Sequence, residues 1–294
     1  MSIYSTGFRL IFGMLDKIRS HSETAPEEVS VLKDITYKDN QQLDIYYPEN
    51  IMDRYAVIIN VHGGGWVYGD REVYRNYCMT LASMGFAVIN YDYRLAPKYK
   101  YPAALEDLND VLHFIKQHAD CLKLDLTKLY GIGDSAGAQL LSQYTVMMTN
   151  TSYASKYEMK LPELEFKALA LNCGIFDPIE RISKTSRSPV LWYLKRLLND
   201  YIGEDYLELR ELLNFDVYVT TDFPPVFIAN SVNDLLVGKQ PMILRTFYRN
   251  HVPFVYREYG HRDVMSLHNF QLDLKRRTAQ NCMIETLTFF HHQN

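Results

Sequence analysis

Residues 129–141 read LYGIGDSAGAQLL, a pattern that predicts a strand, a sharp turn and a helix. Gly133, Ser135 and Gly137 fit the pattern G-x-S-x-G, in which a serine stands at the tip of such a turn. The residues two before and two after the serine must lack bulk, because strand and helix pack closely there. An ordinary serine cap of a helix is the alternative. The apolar strand and helix on either side favour a nucleophile at Ser135.

The second motif is HGGGW at residues 62–66, directly after an apolar run. Three successive glycines let the main chain approach a substrate with no Cβ in the way. Acyl transfer develops negative charge on a carbonyl oxygen, which backbone N–H groups can stabilise. We therefore assign Gly64 and Gly65 as oxyanion donors, with the N–H of Ala136 as a third. A flexible loop without chemistry is the alternative, and we expect His62 to brace the loop rather than act as a base.

Apolar, β-rich runs alternate with helix-like stretches along most of the chain. The runs span residues 55–61, 86–91, 128–132, 168–173, 225–230 and 254–258. Helices are predicted near residues 72–84, 103–118, 136–149, 239–250 and 271–290. Strands of this kind are typical of a parallel sheet buried on both faces, so the predicted fold class is α/β. Residues 29–37 and 42–48, on either side of Asp39-Asn40, predict an antiparallel hairpin before the first run.

Four motifs together resemble the hormone-sensitive-lipase-like esterases of the α/β-hydrolase superfamily. They are HGGGW at 62–66, YDYRLAP at 91–97, YPAALED at 101–107 and GDSAG at 133–137. The resemblance runs from about residue 30 to the C-terminus. It implies an eight-stranded, mostly parallel sheet flanked by helices, a small helical cap, and ester hydrolysis through a Ser–Asp–His triad in that chain order.

Four charged residues inside these motifs have structural interpretations. We expect Asp92 and Arg94 to pair with neighbours and to fix the loop after the strand. Glu106 and Asp107 stand at the start of a predicted helix, where acidic groups favour the helix dipole.

The resemblance implies an acid in the loop after the run at 225–230. Asp234 is placed for this role, and a surface turn is its alternative interpretation. Asp222, which precedes the strand, is the weaker candidate. Many relatives carry a second acidic residue four positions after the first, where this chain has Gly238.

Two histidines compete for the role of the base, His261 and His268. Family members usually show His-x-Phe at the start of the closing helix, and residues 268–270 read HNF. His261 follows the run at 254–258 by only a few residues, so it could scarcely reach back over the strand ends. The resemblance therefore favours His268.

The domain prediction divides the chain into a core and a cap. Residues 29–175 and 222–294 are assigned to the hydrolase core, and residues 1–28 and 176–221 to a helical cap or lid. The long stretch between two core strands suggests a functional insertion, with a peripheral decoration as the alternative. The N-terminal helix is predicted from apolar residues at helical spacing, namely Phe8, Ile11, Phe12 and Leu15. It could bind a membrane surface, but packing over the body of the protein is favoured.

Composition excludes several classes of protein. The chain has 294 residues, of which 47% are hydrophobic and 22% charged, which is ordinary globular usage. A net charge of −4 without a basic block argues against nucleic-acid binding.

The four cysteines lie far apart, which favours free thiols in a reducing compartment and a cytoplasmic location. His113 and His118 are wrongly spaced to share a helix face, and no metal site, signal peptide or membrane-spanning helix is expected.

The expected activity is hydrolysis of short-chain acyl esters, from acetyl to butyryl, by a mechanism that needs no metal or organic cofactor. The expected partner is a small-molecule ester, without membrane insertion, and a homodimer is compatible with the sequence. An arylformamidase or amide hydrolase with the same triad is one alternative, because arylformamidases carry a similar His-Gly-Gly-x-Trp stretch. A ligand-binding receptor that has lost the chemistry is another. Such receptors commonly lack the histidine, whereas Ser135, Asp234 and His268 are all present.

Overall fold

The computed structural model describes residues 2–20, 26, 28–50, 52–176, 178, 189–203, 206, 208–234, 236 and 240–293. Its strands are β1 (Val29–Lys38), β2 (Gln41–Pro48), β3 (Tyr55–Val61), β4 (Ala87–Tyr91), β5 (Leu124–Asp134), β6 (Ala168–Asn172), β7 (Val226–Ser231) and β8 (Phe254–Tyr259). They form one sheet in the order β1-β2-β4-β3-β5-β6-β7-β8. β1 and β2 are the predicted antiparallel hairpin, and β2 is also antiparallel to β4.

The other pairs, from β4 through β3 to β8, are parallel, which confirms the predicted mostly parallel sheet. Every residue of β4, β6 and β7 is buried. Continuous burial is expected because helices cover both faces of a parallel sheet. The edge strand β8 is only half-buried.

The helices connect and cover these strands. They are α1 (Ile3–Ser20), α2 (Arg71–Ser83), α3 (Ala103–His118), α4 (Ala136–Thr149), α5 (Thr151–Ala154), α6 (Pro189–Ile202), α7 (Arg210–Leu213), α8 (Pro241–Arg249) and α9 (Arg277–His291). Two 3₁₀ turns span Phe215–Tyr218 and Phe270–Leu272. Within the described residues, none of these helices combines the length and the apolar character needed to cross a membrane.

The closing helix begins later than the sequence predicts. The prediction placed it near 271–290, but α9 starts at Arg277. Arg276 forms ion pairs with Asp273 (2.7 Å) and Asp263 (3.0 Å), and its N–H donates to the carbonyl of Asp273 at 2.9 Å. These contacts hold a separate turn before the helix. The buried side chains of Phe270–Leu272 continue the apolar pattern and make the helix look longer in sequence.

The N-terminal helix packs over the body of the protein, as favoured from the sequence. Arg9 Nε donates to the carbonyl of Val67 at 2.7 Å and Arg9 Nη2 to that of Ala96 at 2.9 Å. The predicted apolar face of this helix is only partly buried. Phe8 and Phe12 are half-buried, whereas the predicted inward residues Ile11 and Leu15 are 60% and 54% exposed.

α1 also contacts α6. The hydroxyl of Ser5 donates to Asp200, and the hydroxyl of Tyr193 donates to the carbonyl of Tyr4. Residues 179–188, which belong to the predicted cap, lie outside the described residues. The division into core and cap therefore stays a prediction.

Two glycines allow α4 to lie against the sheet. A Cβ on Gly137 would overlap the carbonyls of Val61 and His62 at the end of β3. A Cβ on Gly133 would lie 2.7 Å from the carbonyl oxygen of Gly137. The steric requirement inferred for the turn around Ser135 is therefore confirmed, and the helix start is held directly against the end of β3.

This contact predicts the effect of one added methyl group. Gly137→Ala should lower the free energy of unfolding by about 3 kcal/mol, because backbone rather than a flexible side chain must move. Gly13→Ala is the matched control, since Gly13 is also helical but its Cβ would meet only Tyr68 at 3.9 Å. The control should be neutral or stabilised by up to about 1 kcal/mol. Equal stabilities in urea unfolding would contradict the packing argument.

Candidate active site

Ser135 lies at the junction of β5 and α4, between Asp134 and Ala136. Its backbone has φ 51° and ψ −115°, in the left-handed region that residues other than glycine rarely adopt. The N–H of Ser135 donates to the carbonyl of Asn172 on the adjacent strand at 2.9 Å. The hydroxyl therefore projects from a fixed turn at the carboxyl end of the parallel strands.

The structure brings Ser135, His268 and Asp234 together. His268 Nε2 lies 2.9 Å from Ser135 Oγ, and His268 Nδ1 lies 2.7 Å from Asp234 Oδ2. The other carboxylate oxygen of Asp234 accepts the N–H of Leu236 at 2.8 Å. The Asp234 side chain is fully buried and that of His268 is 16% exposed. This chain of hydrogen bonds can orient an imidazole and let it accept a proton from the serine.

The competing candidates lie elsewhere. Asp222 and His261 are both exposed to solvent, and neither hydrogen bonds with Ser135 within the described residues. Gly238, the position where many relatives carry a second acidic residue, lies outside the described residues.

The segment before His268 is tied to the end of β7. Asn233 Nδ2 donates to the carbonyls of Gly260 and Asp263, each at 3.2 Å. The hydroxyl of Ser231 donates to the carbonyl of Ser266. These bonds hold the segment that leads into His268 against the turn that carries Asp234, which fixes the distance between the two side chains.

The glycine motif forms a tight loop with left-handed backbone at Gly64 (φ 111°), Gly65 (φ 59°) and Trp66 (φ 62°). The carbonyl of Gly64 accepts the N–H groups of Val67 and Tyr68 at 3.2 and 3.0 Å. In the described part of the chain, no acceptor meets the N–H of Gly64 or Gly65. The N–H of Ala136 belongs to the first turn of α4, where no intrahelical acceptor exists. All three N–H groups can therefore bind an external oxygen.

Two braces that the sequence analysis missed tie the glycine loop to the serine turn. The hydroxyl of Tyr74 accepts the N–H of Gly63 at 2.8 Å and donates to Asp134 Oδ2 at 2.8 Å. Trp66 Nε1 donates to Gln139 Oε1 at 2.9 Å. Gln139 is one of several buried polar residues of α4, and the sequence does not distinguish it from the others. Nothing near Tyr74 in the sequence marks it.

His62 braces the loop, as expected, and neither of its ring nitrogens hydrogen bonds with Ser135 within the described residues. Its Nδ1 donates to the carbonyl of Gly63 at 2.7 Å. Because a carbonyl oxygen can only accept a hydrogen bond, the proton of the ring is placed on Nδ1. Its ring stacks on Tyr93 with centroids 4.0 Å apart. Complete burial lowers the pKa of His62, so the ring is kept neutral.

The charged residues of the two further motifs form ion pairs, as predicted. Asp92 pairs with Arg71 at 2.7 Å. Arg94 pairs with Glu106 at 2.7 Å and with Asp107 at 2.8 Å. The two acidic residues at the start of α3 thus fix Arg94 in addition to lying near the helix N-terminus.

Cys173 lies beside Asp234 and His268. It directly follows β6, and ligand atoms of Cys173, Asp234 and His268 all lie within 4.8 Å of one another. Burial, followed by the nearby Asp234 carboxylate, raises the pKa of the Cys173 thiol well above its usual range. The thiol is therefore protonated at neutral pH. All four cysteines of the chain are free, as expected.

Residues of α1 and α6 lie next to the glycine loop. A Cβ built on Gly65 would be 3.3 Å from Leu197 Cδ1 and 3.7 Å from Phe8 Cζ. The Phe8 ring in turn stacks on Phe12, with centroids 4.1 Å apart. An apolar wall therefore borders the loop on this side.

Comparisons with known proteins agree with this fold. The family model described as BD-FAE matches residues 43–244. An acetyl esterase of Salmonella schwarzengrund is 27% identical over 214 residues, which is 69% of this chain and 63% of the relative. The chain thus matches less than two thirds of the length of that relative.

Solved structures are also similar. Esterase B of Lactobacillus rhamnosis, described as inhibited by a C4-C4 SN3 tributyrin phosphonate, has a TM-score of 0.87 and 27% identity, with 97% of this chain and 92% of that chain covered. An esterase of Pyrobaculum calidifontis has a TM-score of 0.77 and 20% identity, with 99% and 92% covered. The latter likeness supports the fold alone.

The neutral ring of His62 predicts a dependence of stability on pH. Its pKa is lower in the folded than in the unfolded state, so the unfolded chain binds more protons below pH about 6.5. Stability should therefore fall as the pH drops through this range, by up to about 1.4 kcal/mol at pH about 5.5.

The free energy of unfolding is measured in urea at pH about 7.5 and pH about 5.5 for wild type, for His62→Asn, and for a control that changes the exposed His251, H251N. The wild type and the control should lose this increment, and His62→Asn should not. The same pH dependence in all three proteins would contradict a buried neutral His62.

Proposed function

Because the chain belongs to the BD-FAE family and its resemblance to hormone-sensitive-lipase-like esterases is confirmed, we propose that it is a serine carboxylesterase. The observation that carries the proposal is the unbroken chain of hydrogen bonds from Ser135 Oγ through His268 to Asp234. The substrate class is a small-molecule ester with a short acyl chain. The mechanism uses side chains and backbone N–H groups only.

In the first step, Ser135 Oγ attacks the ester carbonyl and His268 Nε2 takes the hydroxyl proton. Asp234 accepts a hydrogen bond from Nδ1, which keeps the acceptor nitrogen turned toward the serine and stabilises the imidazolium. The separations of 2.9 and 2.7 Å support both roles.

The tetrahedral intermediate places its negative oxygen on the N–H groups of Gly64, Gly65 and Ala136. One donor of this kind is typically worth about 3 kcal/mol of barrier. The positive φ values of the two glycines and the braces through Tyr74 and Gln139 support donors that are oriented before the substrate binds. No reorganisation of the loop is then needed during the reaction.

Collapse of the intermediate completes the first half of the reaction. The C–O bond to the alcohol breaks, and the alcohol leaves with the proton from His268. A water molecule then attacks the acyl-enzyme while His268 accepts its proton, and the carboxylic acid departs as Ser135 recovers its hydrogen.

The neighbourhood of Gly65 supports a short acyl chain. Phe8 and Leu197 border this glycine, whose N–H is a proposed oxyanion donor, and leave apolar but limited room beside it. The tributyrin phosphonate named for esterase B carries acyl chains of the same class. We propose that α1 and α6 act as the predicted cap. The cytoplasmic location and the homodimer stay predictions.

The triad is tested by covalent labelling and by kinetics. Wild type should react with a fluorophosphonate at Ser135 and hydrolyse p-nitrophenyl butyrate, and Ser135→Ala should lose kcat/KM by about four orders of magnitude or more. Ser142→Ala is the matched control, because Ser142 is a buried serine on the same helix whose hydroxyl donates to the carbonyl of Ala138. Labelling of another residue, or an active Ser135→Ala, would contradict the triad.

Faster cleavage of N-formylkynurenine than of aryl esters would favour the formamidase alternative.

Chain-length preference tests the cap. With p-nitrophenyl esters from acetate to palmitate, kcat/KM should peak at acetate to butyrate. Phe8→Ala should move the peak to longer chains by removing part of the apolar wall. Leu10→Ala, on the same helix but 71% exposed, should leave the profile unchanged. A wild-type maximum at the long chains would overturn the proposed substrate class.

A further inference from the structure

Cys173, Asp234 and His268 form a cluster with one thiol, one carboxylate and one imidazole. Their ligand atoms lie within 4.8 Å of one another, and no second group of this kind occurs among the residues that the structure describes. We propose that this cluster binds a soft divalent cation, Zn²⁺ or Cd²⁺, and that the bound cation switches the enzyme off. The binding site stands on the cluster itself, whereas the inhibition rests on the proposed function.

The chemistry of the three donors suits these cations. Thiolate, imidazole and carboxylate are the ligands of zinc sites, with metal–ligand distances of about 2.0–2.3 Å. Three such ligands around a tetrahedral ion lie roughly 3.3–3.8 Å apart. The atoms of the cluster must therefore adjust by about an ångström, and a water molecule can take the fourth position.

Charge and access are also consistent with a cation. Cys173 and Asp234 are buried, and only the His268 side chain reaches solvent, at 16% exposure. The cation would enter along the exposed side of the imidazole. A thiolate and a carboxylate together neutralise a divalent ion, so the buried complex carries no net charge and avoids the cost of an unpaired buried charge.

Occupation of the site changes which nitrogen of His268 carries the proton. The cation takes Nδ1 in place of the hydrogen bond to Asp234, and the Cys173 thiol loses its proton to solvent. Neutral imidazole retains one hydrogen, which must then reside on Nε2. Nε2 becomes a donor and can no longer accept the proton of Ser135. Inhibition therefore needs no contact between the cation and the serine.

The experiment uses the full chain with the exposed Cys121 replaced, so that a surface thiol does not contribute. Cd²⁺ alone is titrated into Cys121→Ala, and the ultraviolet thiolate-to-cadmium absorption is recorded. The same titration is made after adding Cys173→Ala, Cys173→Ser, Ser135→Ala or, as the matched buried cysteine, Cys282→Ala. Butyrate ester hydrolysis is then measured against Cd²⁺ and Zn²⁺, with each rate normalised to that of the same variant without metal.

We expect the absorption in Cys121→Ala and in the added Ser135→Ala and Cys282→Ala variants, and its loss with either change at Cys173. The cation concentration for half-inhibition should rise by at least about tenfold in the Cys173 variants, and a chelator should restore activity in the parent. Unchanged absorption or inhibition without Cys173 would overturn the proposal. Cys173→Ser decides the matter if Cys173→Ala does not fold. If no ester is hydrolysed, the proposed function fails, and the absorption still decides whether the site exists.

Discussion

The close contact between the start of α4 and the end of β3 is the constraint on which the site depends. Gly137 leaves no room for a side chain against the carbonyls of Val61 and His62. Because Ser135 lies just before this helix start, the chain must turn there with φ 51°. The same contact fixes the position of the glycine loop relative to the start of α4, because the loop follows β3 directly. The proposed nucleophile and the proposed oxyanion donors are thus positioned by one packing contact.

Hydrogen bonds also hold the glycine loop in a fixed position relative to the turn at Ser135. Tyr74 joins Gly63 to Asp134, and Trp66 joins the loop to Gln139 in α4. These are buried groups with good partners, and such bonds favour one arrangement of the backbone strongly because an unpaired buried group is costly. The remaining site residues come from the ends of β6 and β7 and the loop after β8, so the carboxyl edge of the sheet gathers parts that lie far apart in sequence.

The sequence predicted the features that depend on local chemistry. Apolar runs identified the strands, and two glycine-containing motifs identified the turn at Ser135 and the loop at Gly64 and Gly65. The geometry at Asp234 and His268 agrees with candidates that only the family resemblance singled out. The resemblance was needed because no local rule relates a loop after β7 to one after β8.

The features that sequence reasoning missed arise from packing across long separations. Tyr74 bridges two motifs that are about seventy residues apart, and its role is visible only once α2 lies on the sheet. Leu197 and Phe8 approach Gly65 from two helices with no pattern that links them. The predicted start of the closing helix was wrong because the buried Phe270 and Leu272 continue the apolar spacing of α9. Arg276 and its ion pairs instead hold a separate turn before the helix.

The hydrogen on the imidazole of His268 offers the most direct test of the account. Nitrogen NMR of the ring at about pH 9, where an ordinary histidine is neutral, reports which nitrogen is protonated. We expect a proton on Nδ1, with its resonance shifted to low field by Asp234, and an unprotonated Nε2 that faces Ser135. In Asp234→Asn the proton should be lost from Nδ1. A ring protonated on Nε2 in the wild-type protein would contradict it.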